Sequence, residues 1–86
     1  MTDPIPSAAE APLFHLEVDA SGLLCPLPIL RAKKALAQLE SGQVLKVVTT
    51  DRNAVRDFQA FARQTGNVLL VQHESGVRAE HFLRRR

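Results

Sequence analysis

Gly22-Leu23-Leu24-Cys25-Pro26-Leu27-Pro28-Ile29-Leu30 carries the only cysteine of the 86-residue chain, followed by prolines at alternate positions. Beyond it, Ile29, Ala32, Leu36 and Leu39 recur at helical spacing, with Arg31, Lys34 and Gln38 on the opposite side. Proline fits the first turn of a helix, where the N–H it lacks would have no intrahelical partner. The pattern predicts a helix from about Pro26 to Glu40, with Pro28 in its first turn and Cys25 at the N-cap. A sulfur there meets the positive end of the helix dipole, which favours the thiolate. With both prolines lacking a donor, the Leu27 N–H is the one expected to reach it. A lone cysteine is commonly a small buried hydrophobe. Ser, Thr, Asp and Asn cap helices better, however, so an inert role gives no reason for cysteine at this place. Gly22 and the two prolines read as a rigid mount for an exposed, reactive sulfur.

Upstream, Leu13 to Val18 alternates, with Phe14, Leu16 and Val18 on one face and His15 and Glu17 on the other, the pattern of a half-buried strand. Asp19-Ala20-Ser21-Gly22 is turn chemistry that delivers the chain to Cys25. Downstream, Ser41-Gly42 stops the helix. Val44 to Thr49 is β-branched and nearly all apolar, as in a central strand. Thr50-Asp51-Arg52-Asn53 offers N-capping side chains for a second helix to about Gln64, with Val55, Phe58, Phe61 and Ala62 as its apolar stripe. Gly66 and Asn67 close that helix. Val68 to Gln72 and Val77 to Leu83 read as strands joined through Glu74-Ser75-Gly76. The order is β-α-β-α-β-β. Its compact solution is an α/β fold, a two-layer sandwich with two helices on one face of a four-stranded mixed sheet.

Composition sets the outer limits. Residues 1–12, rich in Pro and Ala and without periodicity, read as a disordered leader, and 13–86 as one domain. A single cysteine forms no internal disulfide, which points to a reducing compartment. With no signal-peptide pattern and no apolar run long enough to span a bilayer, the expected location is cytoplasmic and off the membrane. The formal net charge is +2. Much of that excess sits in Arg84-Arg85-Arg86, read as a solvated tail. No aromatics interleave with the basic residues, so direct nucleic-acid binding is not expected.

The same residues sort the available chemistries. His15, His73, His81 and Cys25 show no metal-ligand spacing, so no metal is expected. No histidine lies near Cys25 in sequence to form a dyad, and no second cysteine is present to resolve a disulfide. Exchange of a group carried on the sulfur needs only an exposed thiolate, a rigid mount and a docking surface. Lys33, one turn beyond Ile29, leans to the side from which Cys25 projects. These features favour a carrier or relay. A non-catalytic interaction or regulatory domain, contacting RNA through the arginines with a structural Cys25, is the alternative from another class. A redox sensor oxidised at Cys25 is a third.

The run Asp19-Ala20-Ser21-Gly22-Leu23-Leu24-Cys25-Pro26-Leu27-Pro28 resembles the signature of the TusA (SirA-like) sulfurtransferase family, Cys-Pro-x-Pro at the start of the first helix preceded by Asp-Ala-x-Gly. The similarity extends from about Phe14 to Arg85 and includes Thr50 to Phe58. It implies the same β-α-β-α-β-β sandwich and a role in sulfur trafficking. In such a role Cys25 accepts sulfane sulfur as a covalent persulfide, without a further cofactor, and passes it to a partner's cysteine. Asp19, Gly22, Pro26 and Pro28 are then motif residues that support the cysteine. Lys33, Asp51 and Arg52 fall where the family docks partners, although Arg52 stands where many members have proline. The implied donors are cysteine desulfurases or rhodaneses. The implied acceptors are DsrE-type proteins leading to tRNA thiolation, or components of sulfur oxidation. A carrier that docks with two partners in turn is expected to be a monomer.

Overall fold

The computed structural model describes residues 12–86, so the expected leader lies, but for Pro12, outside the described residues. The elements are β1 (Leu16–Ala20), α1 (Leu27–Leu36), β2 (Val44–Thr49), α2 (Ala54–Thr65), β3 (Val68–Ser75) and β4 (Arg78–Arg84). They form one four-stranded mixed sheet in the order β1-β2-β4-β3, with both helices on one face. β1 and β2 run parallel, joined by the crossover through α1. β4 inserts antiparallel between β2 and β3, so the second crossover ends on the far edge of the sheet.

The core lies between the sheet and the helices. Ala32, Ala35 and Leu36 of α1 and Phe58 and Phe61 of α2 meet Ala20, Leu45, Val47 and Leu83 of the sheet. On the α1 side the contact is made largely by alanines, and on the α2 side by two phenylalanines. Their rings meet edge to face with centroids 6.1 Å apart. β2 is buried along nearly its whole length, as its β-branched run predicts for a central strand.

Several boundaries differ from the sequence reading. β1 starts at Leu16 and continues through Asp19 and Ala20, which pair with Val48 and Thr49 of β2. Pairing with a neighbour overrides the turn character of Asp19-Ala20. Phe14 therefore precedes the strand and lies on the opposite face from Leu16 and Val18. Its ring is 6.2 Å from that of Phe82, with the Lys46 ammonium 5.2 Å above it. Helix α1 ends at Leu36, and residues 37–39 continue in tighter turns, Gln38 N–H to Ala35 O and Leu39 N–H to Leu36 O. Leu39 thereby keeps the buried position that its spacing predicts.

β3 runs on to Ser75, and the hairpin loop is Gly76-Val77. Gly76, at φ 62°, takes the first loop position, where a two-residue hairpin of this hand requires a left-handed residue. A bulge between Leu69 and Val71 shifts the register within β3. It puts Leu69 on the helix side with Leu83, and then Gln72 on that same side opposite His81.

The terminal arginines are not a solvated tail. Arg84 ends β4, opposite Val44 and Val68. Arg85 exchanges backbone hydrogen bonds with Gln43 O and Gly42 N–H, and its Nη1 donates to Leu39 O at 2.8 Å. Arg86 N–H donates to Asn67 Oδ1. Among the described residues, no helix is long and apolar enough to cross a membrane.

Candidate functional site

Cys25 lies on the exposed turn between β1 and α1, and its peptide bond to Pro26 is cis. The N-cap of α1 is Pro26, one residue later than the sequence predicts, and Leu27 N–H donates to Leu24 O at 2.8 Å. The donor expected to reach the sulfur is thus engaged by a tight turn that precedes the helix. Pro28 falls in the first helical turn, as expected, and is buried against the core side of α1. It anchors the helix start while Leu24, Leu27 and Leu30 remain exposed around the cysteine.

The loop between β2 and α2 holds this turn from the other side. Thr50 Oγ1 accepts from Gly22 N–H at 2.8 Å, and Asp51 Oδ2 accepts from Cys25 N–H at 2.8 Å. Gly22 sits at φ 79° with open space where a Cβ would be, so backbone conformation and not crowding requires glycine there. The second oxygen of Asp51 accepts from Asn53 N–H at 3.1 Å, and its carbonyl accepts from Ala54 N–H. One carboxylate therefore opens α2 and fixes the backbone of Cys25. Asn53, although it is the N-cap of α2, makes no side-chain cap hydrogen bond.

Asp57, half-buried in the first turn of α2, is a neighbour of Cys25 that the sequence reading missed. Its carboxylate acts on the Cys25 thiol: interaction with Asp57, with smaller contributions from desolvation and from the charges of Asp57 and Asp51, pushes the thiol up from its ordinary value. This reverses the expectation of a helix-stabilised thiolate. The resting cysteine is a protonated thiol facing two carboxylates.

The remaining predicted residues are placed as follows. Asp19, at the end of β1, closes the turn into the motif by accepting from Ser21 N–H at 3.0 Å. Hydrogen bonds from Ser21, with Arg78 as a weaker attraction, hold its carboxyl below the usual range. Arg52 is exposed in the loop beside Asp51. Lys33 is in the last turn of α1, where it lines a groove with Arg85 and Arg86, away from the helix start that carries Cys25. The structure thus gathers Cys25, Gly22, Pro26, Pro28 and Asp51 at one end of the helical layer and sets Lys33 apart.

Asp51 uses both carboxylate oxygens, whereas an amide offers a single acceptor oxygen. Asp51→Asn is expected to keep one of the two contacts and to lose about 1 kcal/mol of stability. For a domain of this size that is roughly 4–8 °C in melting temperature. An unchanged thermal melt would show that the carboxylate does not brace the Cys25 turn.

Comparison with known proteins agrees with this fold. Residues 16–85 match the family model described as Sulfurtransferase TusA. Sulfur carrier protein TusA of Allochromatium vinosum is 60% identical over 70 residues, covering 81% of this chain and 91% of that protein. Sulfur carrier protein TusA of Pseudomonas entomophila is 36% identical over 69 residues, covering 80% and 86%. The crystal structure of a SirA-like protein from Desulfitobacterium hafniense superposes with a TM-score of 0.72 at 30% identity, covering 81% of this chain and 96% of that one.

Proposed function

The chain belongs to the TusA sulfurtransferase family, and from that premise we propose that it relays sulfane sulfur between proteins as a persulfide on Cys25. The observation that carries this reading is an exposed cysteine, braced through its backbone N–H by Asp51 and facing the carboxylate of Asp57 through its thiol.

In the loading step, the Cys25 sulfur attacks the outer sulfur of a donor protein's persulfide. The Cys25–sulfur bond forms as the donor's sulfur–sulfur bond breaks, and the donor leaves as a thiolate. The thiol proton passes by way of Asp57 to that leaving thiolate. One persulfide and one thiol become one thiol and one persulfide, with no net oxidation. In the discharge step an acceptor thiolate attacks the outer sulfur, and Cys25 returns as the leaving group. After discharge Asp57 holds Cys25 as a thiol until the next loading, which keeps the empty carrier from reacting indiscriminately. Exposed Leu24, Leu27 and Leu30 provide apolar surface for the partner around the sulfur. Donors of the cysteine desulfurase or rhodanese type and acceptors of the DsrE type fit this scheme. A free thiol carrier of this kind works in a reducing compartment such as the cytoplasm.

The test is intact mass of the reduced protein after incubation with polysulfide or a sulfur-loaded rhodanese. The expected result is a gain of one sulfur that reductant reverses. In Asp57→Asn the pH dependence of loading, like that of alkylation, moves to lower pH because the thiol has lost the carboxylate that keeps it protonated. No gain of sulfur at any pH would overturn the reading.

A further inference from the structure

A second surface lies at the other end of α1. Lys33, Leu36 and Ala37 of α1 and its cap, Phe61 and Thr65 of α2, Asn67, and the terminal Arg85 and Arg86 enclose an open groove of about 720 Å³. Its rim carries three cationic side chains and no acidic one. Arg85 is partly engaged, because its Nη1 donates to Leu39 O. The side chains of Lys33 and Arg86 make no hydrogen bond or ion pair among the described residues, whose ion pairs involve only Lys46 and Arg78. Two helix C-termini border the groove, and their carbonyls favour one nearby cation each. Three cations, two of them unpaired, exceed that need.

The floor is apolar, made by Leu36, Ala37 and the edge of Phe61. This mixture discriminates between polyanions. A nucleic-acid strand seeks phosphate contacts together with exposed rings on which bases stack. Phe61, the one ring here, is 7% exposed and lies flush with the floor. An apolar floor inside a cationic rim suits a protein segment in which carboxylates flank a large apolar side chain.

We propose that the groove formed by Lys33, Phe61, Thr65, Asn67, Arg85 and Arg86 docks an acidic segment of a partner protein, an apolar side chain of the segment entering between the helices. The Cys25 turn precedes the first turn of α1 and the groove lies at its last, so a partner can hold the groove while its own cysteine approaches the sulfur. That the partner belongs to a sulfur relay rests on the carrier reading above; the docking itself does not.

The probe is a short synthetic peptide with Leu and Phe set among glutamates, titrated into the full chain and followed by amide chemical shifts. Saturable shifts at Lys33, Thr65, Asn67 and Arg86 are expected, and added salt weakens them. Lys33→Glu with Arg86→Glu, both exposed positions, should reduce affinity roughly tenfold or more. Cys25→Ser should bind like the wild type, so failure of sulfur loading and failure of docking are told apart. The proposal is overturned by an absence of saturable shifts or by binding that survives the double charge reversal. It is overturned equally by a uridine oligonucleotide that binds the same residues more tightly than the peptide.

Discussion

Cys25→Ser is expected to fold and melt like the wild type and to take up no sulfur from any sulfane donor. Cys25 is exposed and contributes nothing to the core. The contact that braces its turn is made by its backbone N–H to Asp51 and survives the substitution. A serine hydroxyl is close to the thiol in size and can hydrogen-bond with water or with a neighbouring carboxylate, so the local arrangement persists. What it cannot do is form a bond to sulfur that a second thiolate reopens. With no other cysteine in the chain, the loss is complete rather than partial. Intact mass and a thermal melt check both halves. Retained loading would place the sulfur elsewhere, and a collapsed melt would make Cys25 a structural residue.

The second large effect is acid lability centred on His81. This residue is fully buried, its ring stacked on Phe58 at 4.5 Å. Gln72 Nε2 donates to Val55 O and to His81 Nδ1, while Gln72 Oε1 accepts from Gln59. Nδ1 is therefore the acceptor of a neutral imidazole, and Nε2–H donates to Thr49 Oγ1 at 2.8 Å. A proton added to Nδ1 would face the Gln72 amide donor, and burial pushes the pKa down to about 4 from 6.5.

A basic group with a depressed folded pKa binds its proton more readily when unfolded. Its contribution to stability is thus fully present above pH 6.5 and is lost progressively as pH falls from 6.5 towards 4. A gap of that size corresponds to about 3 kcal/mol, a large share of the stability of a small domain. The melting temperature of the wild type should fall steeply over that window. His81→Gln, which cannot titrate, should be less stable at neutral pH and nearly flat across the same range. An equal slope in the variant would assign the acid sensitivity to other groups.

The residues that carry the fold were legible because each speaks locally. The helical stripes through Ala32–Leu36 and Phe58–Phe61, the β-branched run of β2 and Gly66 after α2 sit where they were read, whereas α1 stops at Leu36 with Ala37 as its cap and not at Ser41-Gly42. What escaped the sequence depends on partners distant along the chain. Asp19-Ala20 has turn composition and becomes strand because Val48 and Thr49 lie beside it. The continuous apolar run Val68–Val71 hides a bulge, since no alternation is there to be broken.

The site divides in the same way. Cys25 and its prolines announce themselves, and Asp51 was read as an N-capping side chain and, through the family resemblance, as a docking residue. Its role as a brace appears only when the loop from β2 closes on Cys25 N–H. Asp57 was invisible because an acid in a first helical turn is ordinary dipole chemistry. Only the packing of α2 beside the Cys25 turn turns it towards a thiol. The terminal arginines look like a tail in sequence because nothing local shows that Gln43, Leu39 and Asn67 hold them in place.

The most direct test of the relay is a single-turnover transfer with radiolabelled sulfane sulfur. Label is loaded on a rhodanese, passed to this chain, and the isolated loaded chain is mixed with a DsrE-type acceptor bearing a free cysteine. The account predicts that label appears on Cys25 and then moves to the acceptor, returning the chain to its unloaded mass. Label that reaches Cys25 and stays there in the presence of acceptor would contradict it, and would make the persulfide a modification of this protein rather than its cargo.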